Sequence, residues 1–216
     1  MRESSSSVPV SSRRRGRPRV DDKRRLILDA ALRVFAERGF HGTSVPEVAE
    51  AARVGTGTLY RYFANKEALV NEVYRDAKLR LRSALLDGLG APKSDRLDDA
   101  ERWFHQLWQR LGSFAAAEPE AFRFLEMQDH VAYLDAESRQ IELSVIGPLF
   151  MAGKQMRDRA TPSVAPTDIL FALLWGAFVG LIKAGRLGYL TLDAARLAQA
   201  GHACWRMISG VDELER

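Results

Sequence analysis

Between Gly55 and Lys66 the chain crowds hydrogen-bond donors: Thr56, Thr58, Tyr60, Arg61, Tyr62 and Lys66. Hydroxyls, guanidinium and ammonium groups hold phosphate oxygens, and a guanidinium also matches guanine O6 and N7 in the major groove. Apolar side chains are scarce here. Leu59 and Phe63, four apart, make one narrow stripe, and the other faces are left to look outward. A second basic run, Arg13 to Arg19, holds Arg15-Gly16-Arg17-Pro18. Pro18 favours extended backbone and Gly16 adds no bulk. Arg15 and Arg17 could therefore lie in a narrow A·T minor groove, or the segment could be a solvated tail adding only counterion release.

Catalytic chemistry finds little support. His41, His105, His130 and His202 have no helical metal spacing between them, and Cys204 is the single cysteine. No phosphate loop, nucleophile elbow or dinucleotide fingerprint is present. The expectation is no enzyme, no metal and no cofactor. Residues 1–66 carry a net +7 and residues 67–216 a net −3. That asymmetry fits a polyanion partner at the N-terminal end, or a solvated basic tail. The longest apolar run, Ile169 to Ile182, has 14 residues, against roughly 20 for a spanning helix. A soluble cytoplasmic protein with no membrane partner is expected.

The elements that must position these residues are helices. Residues 1–20 are Ser- and Arg-rich and cannot build a core, so a disordered arm is expected. From Asp22, apolar residues recur at helical spacing through Leu26, Ile27, Ala30, Ala31, Val34 and Phe35, and Gly39 ends the run. Ser44 and Glu47 have capping-box spacing, with Pro46 in the first turn. A turn at Val54-Gly55 leads to a short helix over 56–63, and Asn65 caps a long helix over 65–86. Five more helices are predicted over 98–117, 119–130, 136–159, 167–185 and 192–209. No sustained period-two alternation appears, so the fold is all-α. Two short helices about a tight turn within 44–63 have helix-turn-helix geometry, or form an αα-hairpin with a polar face.

These residues carry a family resemblance. Ile27-Leu28-Asp29-Ala30-Ala31, Phe35-Ala36-Glu37-Arg38-Gly39-Phe40 and Gly42-Thr43-Ser44-Val45 take part. So do Glu47-Val48-Ala49-Glu50-Ala51-Ala52, Gly57-Thr58-Leu59-Tyr60-Arg61-Tyr62-Phe63 and Asn65-Lys66-Glu67-Ala68-Leu69. The stretch from Leu26 to Tyr74 resembles the DNA-binding domain of the TetR/AcrR family of tetracycline-repressor-like transcriptional regulators. The resemblance implies a helix-turn-helix domain over 21–66, joined by the helix at 65–86 to a helical regulatory and dimerisation domain within 67–216. It implies a homodimeric, ligand-responsive repressor on a near-palindromic operator. Thr43 and Ser44 begin the first helix of the motif, where hydroxyls and free N–H groups suit a phosphate. The resemblance places Thr58, Tyr60, Tyr62 and Lys66 on the DNA backbone, and Thr56, Gly57 and Arg61 at base edges. For Tyr60 and Tyr62, packing beneath the recognition helix is the alternative. Two positions depart from the family pattern. Arg53 stands in the turn where Gly is common, and would be strained if the backbone there is left-handed. Gly55 replaces a common Ser cap.

The remaining chain is rich in aromatics, which read as core or as a pocket interrupted by polar groups and Met. Candidate pocket residues are Trp103, Trp108, Met127, His130, Phe150 and Trp175, for a small-molecule effector of unknown identity. Pro148 is expected to kink its helix. Ala172, Gly176, Gly180 and Ala184 form a small-residue row, and Ala194, Ala198 and Gly201 continue the theme. Helices 167–185 and 192–209 therefore read as a homodimer face, or as close intramolecular packing. An enzyme and an architectural DNA binder remain the rival classes.

Overall fold

The computed structural model describes residues 20–92, 96–159 and 165–209, and within them every regular element is a helix. Arg15 and Arg17, with the rest of the basic arm, lie outside the described residues. Three helices make the head: α1 (Val20–Arg38), α2 (Val45–Ala51) and α3 (Thr56–Tyr60). Ile27, Ala30, Ala31 and Phe35 of α1 are buried with Val45, Val48, Leu59 and Phe63, so each helix of the head contributes its one apolar stripe.

The spine is α4 (Lys66–Leu86), started by Asn65, whose side-chain oxygen accepts from the Ala68 N–H at 2.7 Å. Its buried stripe runs Leu69, Val70, Val73, Tyr74, Ala77, Leu81, Leu85. Around it pack α1, α5 (Leu97–Ala117), α6 (Pro119–Glu126) and α7 (Ala136–Arg159); α8 (Thr167–Arg186) lies on α7 and α9 (Ala194–Ser209) on α5. Head and body share one apolar core. A polar pin supplements it. The buried Asn71 amide donates to the Glu67 and Tyr133 carbonyls and accepts from the Asp135 N–H and the Ser138 hydroxyl. Every polar group of this side chain is thereby satisfied.

Element boundaries differ from expectation at particular places. α6 stops at Glu126 instead of reaching 130, because the chain there serves other partners. Gln128 donates to the Phe35 and Ala36 carbonyls at 2.7 and 3.1 Å, and the Asp129 carboxylate accepts from the Val131 N–H. α9 starts at Ala194, not 192, since the Asp193 carboxylate caps it by accepting from the Arg196 N–H at 2.8 Å. α7 remains one helix through Pro148.

Candidate nucleic-acid interface and internal cavity

The first helix of the motif is closed at both ends. At its start, Ser44 and Glu47 form a complete capping box, and Glu47 also pairs with Arg38. Hydrogen bonds from the Ser44 backbone and hydroxyl hold the Glu47 carboxyl below its usual range. At its end, the Val54 N–H bonds the Ala49 carbonyl and the Arg53 N–H the Glu50 carbonyl, both at 2.9 Å. This is a Schellman motif, which requires a left-handed residue after the cap. That residue is Arg53, with φ +55°, the one non-glycine residue of positive φ among those described. The turn does need the strained backbone considered from sequence.

The second helix, α3, turns only Leu59 inward, with Phe63 buried just beyond. Gly55 caps it through backbone alone. Gly57 and Arg61 are exposed, Thr56 and Thr58 half-buried, and Tyr60 is 51% exposed. Tyr62 is half-buried and packs on the core, so part of it supports the helix. Arg61 has no carboxylate partner among the described residues. Lys66 opens α4 with its ammonium 4.2 Å above the Phe40 ring.

Two expected backbone contacts are placed differently. Thr43 is buried, and its hydroxyl donates to the Gly39 carbonyl at 2.7 Å, so it fixes the end of α1 and presents no free hydroxyl. Ser44 is exposed, but its N–H and hydroxyl both bond Glu47 at 2.8 Å. The free N–H expected there is already taken by a carboxylate.

In the body, Trp103, Trp108, Phe150 and Trp175 line a cavity of about 150 Å³ between α5, α7, α8 and α9. The Trp103 and Trp108 N–H groups bond backbone carbonyls at Gly90 and Leu197, leaving their ring faces to the wall. The Trp175 N–H reaches the Glu126 carboxylate at 3.1 Å, and Glu126 also takes the buried Lys78 ammonium of α4 at 3.1 Å. Met127 and His130 do not line this cavity, because α6 ends before them and the chain turns toward α1. The His130 Nε2 donates to the Phe124 carbonyl and its Nδ1 accepts from the Tyr133 hydroxyl, both at 2.6 Å. Burial holds its pKa below the ordinary value. His130 is a satisfied core histidine at the joint between head and body. That joint was missed from sequence: Tyr133 stacks on Phe40 at 4.3 Å, and Lys66 lies over the same Phe40 ring.

The opposite side of the body is apolar and uncovered. Of the α8 side chains only Phe178 is buried, although the helix is long and apolar enough to cross a membrane, with mean hydropathy 1.7. Ile169 and Leu173 are 49% and 50% exposed, and Met207 of α9 is 45% exposed. A shallow groove runs between them along Ala172, Gly176, Ala203 and Cys204.

Known proteins share this arrangement. The family model "Bacterial regulatory proteins, tetR family" matches residues 27–73, and "Tetracyclin repressor-like, C-terminal domain" matches residues 92–210. The transcriptional repressor KstR2 of Mycobacterium tuberculosis is 31% identical over 121 residues, 56% of this chain and 56% of the repressor. The matched region thus spans little more than half the length of that relative. A TetR-family regulator from Marinobacter aquaeolei VT8 superposes with TM-score 0.74 at 24% identity, covering 88% of this chain and 96% of that one. The regulator FadR from Bacillus subtilis, solved with stearoyl-CoA, superposes with TM-score 0.60 at 17% identity, covering 87% and 99%. With the N-terminal and C-terminal models of one family both matched, the chain belongs to the TetR family of DNA-binding transcription regulators, which are not enzymes.

Proposed function

We propose that this regulator is a cytoplasmic, ligand-responsive repressor that binds a near-palindromic operator as a homodimer. The observation that carries the reading is the outward face of α3: a helix with one buried residue, a free guanidinium and hydroxyls around it. Arg61 reads bases, with Thr56 and Gly57 at the same edge. Thr58, Tyr60, Tyr62 and Lys66 hold phosphates. Ser44 joins them only by sharing its hydroxyl with Glu47, and Thr43 acts by positioning. The basic arm with Arg15 and Arg17 adds phosphate or minor-groove contacts.

The exposed apolar strip of α8 and α9 supports the dimer. Its small residues let a second copy approach closely, and a two-fold contact builds a four-helix bundle. The cavity supports an apolar effector. A space of about 150 Å³ matches one aromatic ring, so a larger ligand must push the wall outward. Trp175 is the wall residue best placed to report it, through Glu126 and Lys78 to α4. The FadR structure, with its stearoyl-CoA, is consistent with an apolar ligand in this fold.

Selection of bound DNA from a random pool tests the whole reading. Two inverted half-sites are expected. No enriched sequence, or a single unpaired half-site, overturns it. Glu126→Gln should retain operator affinity while losing effector response; an unchanged response would remove Trp175 and Glu126 from the coupling.

A further inference from the structure

Glu101 and His105 stand one turn apart on α5, and His202 meets them from α9. The His105 Nε2 lies 3.7 Å from the Glu101 carboxylate, and the His105 and His202 rings are 4.2 Å apart between centroids. One ligand atom from each of the three residues falls within 4.8 Å of the others. We propose that Glu101, His105 and His202 bind a divalent transition ion of the zinc class, with the remaining coordination position open to water. The inference is independent of the operator and effector reading.

The chemistry of the set is specific. Two imidazoles and a carboxylate suit zinc, nickel or cobalt, whereas magnesium and calcium favour all-oxygen shells. Ligand atoms about 2.1 Å from a tetrahedral ion lie about 3.4 Å apart, so the 3.7 Å pair needs only a small contraction. His202 is exposed and the Glu101 side chain is 31% exposed, so both can rotate to close it. His105 supplies the fixed corner. Its Nε2 is buried and has no hydrogen-bond partner. A buried polar nitrogen left unpaired is unusual, and an ion at the cluster would satisfy it.

The scaffold beneath is rigid. Gly201, next to His202, sits against the Trp108 indole so closely that a Cβ would lie 2.8 Å from Cδ1. Gly112 receives Leu197 in the same way, at 2.3 Å, and the Trp108 N–H holds the Leu197 carbonyl. The α5–α9 crossing therefore cannot slide, which fixes the ligand backbones. An ion here would staple a cavity wall, α5, to the helix bearing half of the apolar strip.

The test uses the untagged full-length chain titrated with zinc chloride and, separately, with cobalt(II). One equivalent should bind, cobalt should give the visible bands of a tetrahedral site, and a hundredfold excess over Kd should raise Tm by roughly 5–10 °C. His202→Ala, a surface change, should abolish the Tm shift while leaving the circular dichroism spectrum unchanged. Glu101→Gln should weaken binding at least tenfold, and Cys204→Ser should leave it intact. Absence of saturable binding below 100 μM zinc overturns the proposal. So does equal binding by His202→Ala, or loss of binding in Cys204→Ser.

Discussion

The head and the far side of the body each leave a helix face unfinished, in opposite ways. On α3 and its C-cap residue the open face is polar: Tyr60 and Arg61 project while only Leu59 of the helix is buried. On α8 it is apolar: Ile169 and Leu173 project while only Phe178 is buried. A polar open face loses nothing in water and waits for a charged partner. An apolar one costs free energy for as long as water wets it, at roughly 25 cal/mol per Å². The contrast predicts that DNA contact depends on conditions and salt, whereas the α8–α9 contact is kept throughout.

The largest effect should come from breaking the apolar face. Gly176 is exposed, with no atom near where its Cβ would lie, so Gly176→Arg fits the single chain. The variant should fold, sediment as a monomer and lose roughly 10²- to 10⁴-fold in operator affinity as the two half-sites uncouple. A dimeric Gly176→Arg would move the interface elsewhere.

Next come the polar positions. Arg61→Ala should erase discrimination at one base pair, worth about 1–3 kcal/mol. Lys66→Ala should weaken all operators alike and lower the salt slope by about 0.9 per subunit. Binding measured on operator variants at several salt concentrations separates the two. Equal loss across all variants for Arg61→Ala would reassign it to phosphate.

How much of this was legible in the sequence follows the same contrast. Local rules sufficed where partners lie close in the chain: the Ser44–Glu47 box, the Asn65 cap, and the Leu59–Phe63 stripe. They failed where partners are far apart. Met127 and His130 were expected in a pocket because polar groups and Met interrupt the aromatics there, yet α6 ends before them and Gln128 is held by carbonyls of α1, more than ninety residues away. One local partner was missed as well: the Thr43 hydroxyl, expected at phosphate, donates to the Gly39 carbonyl only four residues back. His105 and His202 have no spacing to notice; only the α5–α9 crossing brings them together.

Acid should loosen the joint between the two regions. His130 is buried and neutral, with its pKa depressed, chiefly by burial. The unfolded chain therefore takes up this proton first as pH falls below about 6.5. Stability from this group is complete above that value and is lost on going lower, by at most about 1.4 kcal/mol per pH unit. His130→Phe should be less stable at neutral pH yet show a flatter decline between pH 6.5 and 5. An equally steep decline would place the titrating group elsewhere.

The smallest effect tests what the head gives up to hold its motif. Arg53 adopts φ +55° to complete the Schellman turn, at about 1–2 kcal/mol for a residue with a Cβ. Glycine removes that strain but adds about 0.5–1 kcal/mol of unfolded-chain entropy. Arg53→Gly should therefore stabilise the chain by about 0.5–1 kcal/mol, or roughly 1–4 °C in Tm. Arg53→Ala keeps the Cβ and should gain nothing. If both variants gain equally, the charge was the cost and the backbone was not. Arg53 is also exposed beside α3, so either change removes a cation from the polar face. Operator affinity should fall slightly and alike in both variants, while thermal stability rises in only one. That divergence would show Arg53 retained for DNA at the expense of its own turn.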